Sequence, residues 1–233
     1  MKITFDENGE VVHYRIHNFD KKYEPILQSC FYQQVENGYI KIYPRHAKYL
    51  DNMMARYAAH AQEMFDQLGY FQAAPWEKGL EQFCQKIDRA GIDWWLTGSC
   101  AACIRGIELQ PHDIDIMIDS KDVENMTELF QDVLIEPIVD THGWVTKDFG
   151  VIFMDVRIDI ASDPDPILDH PDPIDCGPYA RDHVETLHWN GHDIRIPPIE
   201  LQITANKKRG RHDRVKKMEE YVRNHPRREI NRE

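Results

Sequence analysis

The sequence predicts an α/β (α+β) fold, in which a small mixed sheet carries acidic residues and is packed by helices on one side. Short runs that alternate apolar and polar residues, typical of strands, are interleaved with stretches in which apolar residues recur every three or four positions, typical of helices. With 233 residues, 42% hydrophobic and 29% charged, the chain has the length and composition of a globular protein with a normal core. It contains no run of 18 or more apolar residues, so no membrane span is expected.

The first 75 residues are predicted to form an N-terminal extension made of a β hairpin and a helix. Residues 11–16 and 39–43 alternate between apolar and polar side chains, as the strands of a hairpin do. From 45 to 68 the apolar residues change to helical spacing, and Gly69 follows as a helix stop. The extension therefore has its own strand and helix patterns before the acidic strand of the chain is reached.

Residues 76–197 are predicted as the core of the fold. Glycines and turn dipeptides divide this part into short elements, and the five prolines between 164 and 178 predict an irregular surface loop. The predicted elements are a helix over 76–90, a strand over 93–97, a helix over 100–107, a strand over 113–119, a helix over 121–133, and hairpins over 144–161 and 185–197.

The remaining residues, 198–233, are predicted as a basic helical segment. Residues 207–233 contain 11 basic and five acidic side chains, a net charge of +6, whereas the preceding 206 residues carry −18. Because so acidic a body repels a long polyanion, extensive nucleic-acid binding is not expected, and a cationic substrate or divalent metal ions suit it better. The basic segment either holds the phosphates of one nucleotide or is simply a solvated charged helix.

The cysteines and the N-terminus bear on location. The five cysteines are odd in number and scattered, which makes a poor disulfide framework and fits a reducing compartment. Cys100 and Cys103 form a C-x-x-C without a second pair or a nearby histidine pair, so they are interpreted as packing residues. The first residues contain no apolar stretch followed by a cleavage site, and a cytoplasmic location is the default expectation.

Two aspartates on one predicted strand are candidate metal ligands. Residues two apart on a strand point to the same face, so Asp113 and Asp115 lie together, with Asp119 further along. Neighbouring like charges repel unless they are solvated or bridged by a cation, and adjacent carboxylates are hard oxygen ligands suited to Mg²⁺. The alternative for an isolated Asp-x-Asp is a pair of solvated aspartates at the end of a strand.

A strand–turn–helix junction precedes this strand. Ser99 lies 14 residues before Asp113 and follows Gly98 at the predicted turn. A glycine there lets a phosphate approach the backbone, the free amides at the start of the helix attract anions, and Ser99 adds a hydroxyl donor. The sequence therefore predicts a phosphate-binding turn beside a metal-binding strand.

A third carboxylate is expected from the hairpin over 144–161. Asp155 lies at its predicted turn, whereas Asp159 lies within its second strand between two isoleucines. The strand position favours Asp159, and Asp155 stays open as the alternative.

Together these residues resemble the motif of the DNA polymerase beta nucleotidyltransferase superfamily, and within it the small-molecule, antibiotic-modifying nucleotidyltransferases. That motif is an apolar strand, Gly-Gly or Gly-Ser, a spacer, and Asp-apolar-Asp/Glu-apolar, which residues 95–99 and 113–116 match. Residues 157–160 are similar to the strand that carries the third acid, and 198–213 to the helix that follows the core. The resemblance covers about residues 76–220, with the Gly-Ser and Asp-x-Asp pair its most specific part.

The resemblance implies the nucleotidyltransferase fold and a transferase that uses ATP or another NTP with two Mg²⁺ ions. Asp113 and Asp115 would hold one Mg²⁺, and these two together with Asp159 would hold a second, which lowers the pKa of an acceptor hydroxyl. Gly98 and Ser99 would hold the β- and γ-phosphates. The basic residues implied to help with the phosphates are Lys207, Lys208 and Arg211.

The predicted function is transfer of a nucleoside monophosphate from an NTP to a hydroxyl of a small molecule, and the acidic body favours a cationic acceptor. One alternative is a nucleotidyltransferase-like component of a toxin–antitoxin pair that modifies or binds a partner protein or a tRNA, with residues 1–75 as the partner surface. Another is a non-catalytic nucleotide-binding module, against which the complete set of glycine, serine and aspartates argues. The identity of the acceptor, the preferred NTP and the oligomeric state stay open.

Overall fold

The N-terminal part of the chain forms a four-stranded antiparallel sheet and two helices. The structure is a computed structural model, and it describes residues 1–226. In chain order the elements are β1 (Lys2–Asn8), β2 (Val11–His17), α1 (Glu24–Ser29), β3 (Gln33–Val35), β4 (Gly38–Pro44) and α2 (Leu50–Leu68). The sheet order is β1-β2-β4-β3, two strands more than the predicted hairpin. The additional strands β1 and β3 lie at the sheet edges and lack the strict alternation of burial that marks β2.

Helix α2 joins this sheet to the rest of the protein. Met53, Tyr57, Ala61 and Met64 recur at spacings of four, four and three and are fully buried, as the helical periodicity predicts. Most of this stripe belongs to a hydrophobic cluster that also contains Val151 from the central part of the chain. The N-terminal sheet and the centre of the protein therefore share apolar packing.

A five-stranded mixed sheet lies at the centre of the protein. Its elements are α3 (Trp76–Ile87), β5 (Trp94–Thr97), α4 (Gly98–Ile104), β6 (Ile114–Ile118), α5 (Val123–Leu129), β7 (Leu134–Asp140), β8 (Thr146–Phe153) and β9 (Arg157–Pro164). The order is β5-β6-β9-β8-β7, with β6 parallel to β9 and the other neighbours antiparallel. The predicted fold class, a small mixed sheet packed by helices, is confirmed.

Strand β7 lies outside the predicted elements. Its first five residues are all buried, so its sequence shows no alternation of apolar and polar side chains, and it contains Pro137. A proline fits here because β7 is an edge strand of the sheet. The helix predicted over 121–133 is correspondingly shorter, since α5 ends at Leu129 and the chain then turns into β7.

The two faces of the central sheet have different coverings. Ile114 and Ile116 on β6, with Ile158 and Ile160 on β9, belong to the large cluster formed with residues of α3, α4 and α5. On the opposite face, the proline-rich loop over 165–184 packs near β5 and β6, whereas Val151 and Phe153 of β8 pack against α2 and the N-terminal sheet. This second face is the one that carries the acidic residues.

The C-terminal part adds a hairpin and further helices. Its elements are α6 (Pro178–Arg181), β10 (Glu185–Trp189), β11 (His192–Ile196), α7 (Ile199–Lys208) and α8 (His212–Asn224). The predicted continuous helix is interrupted between α7 and α8, where Gly210 adopts a left-handed φ of 65°. Of the predicted segment 198–233, residues 227–233 lie outside the described residues. The division of the chain at residues 75 and 197 stays a prediction.

Among the described residues, no helix combines the length and the apolar character that crossing a bilayer requires.

Candidate active site

Three carboxylates meet at one end of the central sheet. Asp115 on β6 is paired in register with Asp159 on β9, and with Thr97 on β5. Asp113 lies two residues before Asp115, just ahead of the strand. Each of the three aspartates offers one oxygen atom, and these oxygens all lie within 4.8 Å of one another.

The carboxylates destabilise one another. Burial and the charge of Asp159 raise the pKa of Asp113 to about 7. Burial and the charge of Asp113 likewise raise the pKa of Asp115 to about 7. Burial also raises the pKa of Asp159, although the adjacent Arg157 guanidinium opposes this rise. Ionising all three groups is therefore costly unless a cation lies between them.

The residues present fit a divalent cation. Carboxylate oxygens are the ligands that Mg²⁺ prefers, and the three partly buried side chains converge from two neighbouring strands. Gly98 lies against the cluster, since a β-carbon at this position would be 2.0 Å from Oδ2 of Asp115. Its φ of 66° also lies in the left-handed region. Only glycine can bring the backbone this close to the carboxylates.

The Gly-Ser turn is held in place by contacts from the C-terminal half of the chain. Helix α4 begins at Gly98, and Ser99 follows as a buried residue, 5% exposed. The Nε2 atom of Gln202 on α7 donates a hydrogen bond to the Gly98 carbonyl at 3.1 Å. The Thr97 hydroxyl donates to the carbonyl of Asp175 at 3.2 Å. The turn, α7 and the proline-rich loop thus form one connected unit beside the carboxylates.

The two candidates for the third acid occupy different places. Asp155 lies in the turn between β8 and β9, where Lys78 Nζ is 2.9 Å from its Oδ2 and Gln82 also donates to it. Asp159 lies beside Asp115, and Nε of Arg157 donates to its Oδ1 at 2.6 Å. Asp155 therefore has partners outside the cluster, whereas Asp159 belongs to it.

Asp119 lies at the other end of β6 and pairs with Lys121 at 2.9 Å and with Arg181. It does not take part in the cluster of three carboxylates.

The basic residues that the resemblance implies for phosphate binding have different contacts in the structure. Nζ of Lys207 pairs with Glu219 at 2.8 Å. Lys208 donates to three backbone carbonyls of the proline-rich loop, those of Leu168, His170 and Asp172, at 2.6 to 3.1 Å. Lys208 thus holds the loop that packs on part of the acidic face of the sheet.

Arg211 differs from the two lysines because its guanidinium interacts electrostatically with Asp113 and Asp115. Burial lowers its pKa, and repulsion from the neighbouring Arg209 and Arg214 lowers it further. This repulsion marks a group of cations near the carboxylates, which is the setting that a polyphosphate requires.

A pocket of about 170 Å³ opens beside the carboxylates and contains side chains that the sequence patterns did not identify. Arg209 and Asp175 line it together with Gly98, Asp115 and Asp159. Asp175 is only 2% exposed, and its Oδ1 atom has no hydrogen-bond partner among the described residues. Arg209 lies within the basic run that drew attention to its neighbours, but a linear sequence does not show which cation of such a run faces the pocket.

Residues 79–156 match the family model described as aminoglycoside-2''-adenylyltransferase. The matched span contains Gly98, Ser99, Asp113 and Asp115 and ends just before Asp159. This match confirms the resemblance to the nucleotidyltransferase superfamily. A search of curated protein sequences finds no match.

Solved structures give partial likenesses. A provisionally assigned nucleotidyltransferase from Thermotoga maritima is 16% identical, with 64% of this chain and 93% of that chain covered and a TM-score of 0.47. The lincomycin-bound lincosamide antibiotic adenylyltransferase LnuA is 16% identical, with coverages of 62% and 97% and a TM-score of 0.45. The antibiotic-resistance factor ANT(2'')-Ia is 11% identical, with coverages of 66% and 85% and a TM-score of 0.44. The family match over 79–156 is thus the comparison with the greater weight.

Proposed function

We propose that this protein is a metal-dependent nucleotidyltransferase, which transfers a nucleoside monophosphate from an NTP to a hydroxyl group of a small molecule. The observation that carries the proposal is the cluster of Asp113, Asp115 and Asp159 beside the Gly98-Ser99 turn. Three partly buried like charges without a cation destabilise the fold, whereas with Mg²⁺ and a triphosphate they become a binding site. The family match over residues 79–156 supports the same reaction class.

Different residues of the site have different roles in the proposed reaction. Asp113, Asp115 and Asp159 would hold Mg²⁺, which would neutralise phosphate charge and lower the pKa of the acceptor hydroxyl. The backbone of Gly98 and the Ser99 hydroxyl hold the terminal phosphates. Arg209 and Arg211 add positive charge beside them, the role that the resemblance gives to Lys207, Lys208 and Arg211.

The transfer itself exchanges one phosphate bond for another. The acceptor hydroxyl oxygen forms a bond to the α-phosphorus, the bond between that phosphorus and the bridging oxygen breaks, and pyrophosphate leaves with the bond's electrons. We assign the proton of the acceptor hydroxyl to Asp159, because Asp115 pairs with Thr97 next to the Gly-Ser turn, whereas Asp159 lies one strand further from it. The contribution of the protein is then mainly positioning and compensation of charge.

Calorimetric titration with each NTP, with and without Mg²⁺, tests the proposal. Wild-type protein should bind at least one NTP only when Mg²⁺ is present, and Asp113→Asn should lose that binding. Asp155→Asn is the matched control, because it removes the same charge outside the cluster and asparagine suits its left-handed φ of 60°. Asp155→Asn should bind like wild type.

Failure of the wild-type protein to bind any NTP would contradict the proposal. In that case the alternative, a toxin–antitoxin component that binds a partner protein or a tRNA, would gain weight. Equal loss of binding in Asp113→Asn and Asp155→Asn would instead show that the three-carboxylate cluster has no special role.

A further inference from the structure

An exposed groove lined by aromatic and aliphatic side chains lies next to the candidate active site. It has a volume of about 430 Å³ and is formed between the N-terminal sheet and the β7–β8 edge of the central sheet. We call it the aromatic groove and define it by Phe31, Lys41, Ile42, Val139, Trp144 and Phe149.

Three of the seven exposed large hydrophobic side chains among the described residues are grouped in this groove. Phe31 is 57% exposed, Ile42 is 43% exposed and Trp144 is 39% exposed, in a chain whose mean hydropathy is −0.61. The ring centroids of Phe31 and Trp144 are 4.7 Å apart in an edge-to-face arrangement. Contiguous apolar surface of this kind on a hydrophilic protein marks a binding site more often than chance.

The aromatic groove adjoins the pocket that holds the carboxylates. Trp144 and Phe149 line both spaces, and their rings meet edge to face with centroids 5.6 Å apart. The same pocket is lined by Asp115 and Asp159. A molecule in the groove is therefore separated from the carboxylates, where a hydroxyl would react, only by the side chains of Trp144 and Phe149.

The charges around the groove do not suit a polyphosphate. Its lysine, Lys41, donates from Nζ to Oε2 of the buried Glu136 at 2.6 Å, so this cation is already neutralised. Asp140 and His142 lie at the rim, and no arginine of α7 or α8 lines the groove. The nucleotide triphosphate is therefore expected at the carboxylates and their arginines, and the groove is left for the second substrate.

Accepting the proposed nucleotidyl transfer, we propose that the aromatic groove binds the acceptor, and that the acceptor joins a hydroxyl-bearing part to an aromatic or otherwise apolar part. The apolar part packs against Phe31, Ile42 and Trp144, and the hydroxyl reaches past Trp144 to Asp159. Phe31 and Ile42 come from the N-terminal residues, which lie outside the family match over 79–156. The extension thus determines which acceptor is used.

A pair of glycosides that carry the same hydroxyls tests this inference. 4-Nitrophenyl β-D-glucopyranoside has an aromatic group that methyl β-D-glucopyranoside lacks, and the nitrophenyl group quenches tryptophan fluorescence. Titration of the wild-type protein with the nitrophenyl compound should quench its fluorescence in a saturable way, and an excess of the methyl compound should not compete.

Phe31→Asn should weaken this binding by about tenfold, because one aromatic wall of the groove is lost. Asparagine suits the left-handed φ of 63° at this position, so the backbone is preserved. The matched control is Phe71→Asn, which removes a phenylalanine that is 47% exposed but does not line the groove. Phe71→Asn should bind the nitrophenyl compound like wild type.

The outcomes separate this inference from the proposed function. If the nitrophenyl compound fails to bind, or binds wild type and Phe31→Asn equally, the groove is not an apolar acceptor site, whatever the NTP titration shows. If it binds as expected but no NTP binds with Mg²⁺, the proposed function fails and with it the assignment of the groove to an acceptor. If sedimentation shows that wild type dimerises and Phe31→Asn does not, the groove is an interface between two copies and the inference is overturned.

Discussion

Asp115 and Asp159 are register partners on the adjacent parallel strands β6 and β9, so their carboxylates lie side by side on the same face of the sheet. Forty-three residues separate them in the sequence. Strands β7 and β8, which form one side of the sheet, lie within that interval. Because parallel strands start at the same end, this register also brings Asp159 level with the Gly-Ser turn that follows β5.

Asp115→Asn should abolish nucleotidyl transfer and at the same time stabilise the metal-free protein at pH 8. Since burial raises the pKa of Asp115 to about 7 in the folded state, the fold loses stability as the pH rises from the ordinary aspartate pKa of about 4 towards 7, and the loss is complete above 7. Asparagine does not titrate, so the difference between the two proteins should be largest at pH 8 and smaller at pH 5.5. Thermal unfolding in EDTA at both pH values measures this, with a rise of a few degrees expected at pH 8.

Loss of transfer together with a lower melting temperature at pH 8 would contradict this prediction, because it would mean that Asp115 stabilises the fold rather than serving the site. Asp155→Asn again provides the comparison, since Asp155 has a lysine partner and a lowered pKa.

Gly98→Ala should reduce transfer far more than its effect on backbone strain explains. Gly98 and Gly91 have nearly the same φ, 66° and 68°, so an alanine at either position costs about 1–2 kcal/mol of backbone strain. A β-carbon at Gly98 would collide with Asp115, whereas one at Gly91 has no atom within 4 Å. We expect Gly98→Ala to lose on the order of a hundredfold in kcat/KM, since small displacements of reacting groups have effects of that size.

Gly91→Ala should lose stability without this loss of transfer. Steady-state kinetics and thermal unfolding of both variants make the comparison. Equal kinetic effects of the two substitutions would show that the approach of Gly98 to Asp115 has no role in the reaction.

Arg209→Ala should weaken Mg²⁺-dependent NTP binding by about tenfold, because a charged hydrogen bond to phosphate is lost. Arg209 lines the pocket beside Gly98 and Asp115, whereas Lys207 pairs with Glu219 on the next helix. Lys207→Ala therefore serves as the control and should bind NTP nearly as wild type does. Calorimetry measures both affinities. A larger loss of affinity for Lys207→Ala would indicate that Lys207, and not Arg209, binds the phosphates.

His192 should give the fold a pH-dependent stability that is independent of the site. Burial lowers the pKa of His192, but hydrogen bonds from its Nδ1 to Asp88 at 2.6 Å and from its Nε2 to Glu81 at 3.2 Å outweigh this and raise it. A raised pKa in the folded state means stability that is present below the ordinary histidine pKa and lost as the pH rises through the raised value.

His192→Asn should accordingly lower the melting temperature by a few degrees at pH 6 and by less at pH 9. His188→Asn, on the neighbouring strand and with an exposed side chain, is the matched control and should have little effect at either pH. A His192→Asn deficit that is the same at pH 6 and pH 9 would show that packing rather than charge is responsible.

Much of the fold followed from periodicity in the sequence. The alternation around Asp113 and Asp115 and the helical stripe through Met53 and Tyr57 depend on contacts that repeat every two or every three to four residues, so a linear pattern records them. Strand β7 was not predicted, because a strand buried on both faces loses its alternation.

The carboxylate pair and the Gly-Ser turn were likewise determined by the sequence, since both lie within one short stretch whose strand and turn patterns orient them. Tertiary structure alone decided which hairpin aspartate joins them, because the register of β9 against β6 follows from packing of the whole sheet. It also decided that Arg209 rather than Lys207 lines the pocket, and that Trp144 lies between the carboxylates and the aromatic groove. These relationships join residues that are far apart in the chain. A local sequence pattern does not predict such contacts, because they form only when the core is assembled.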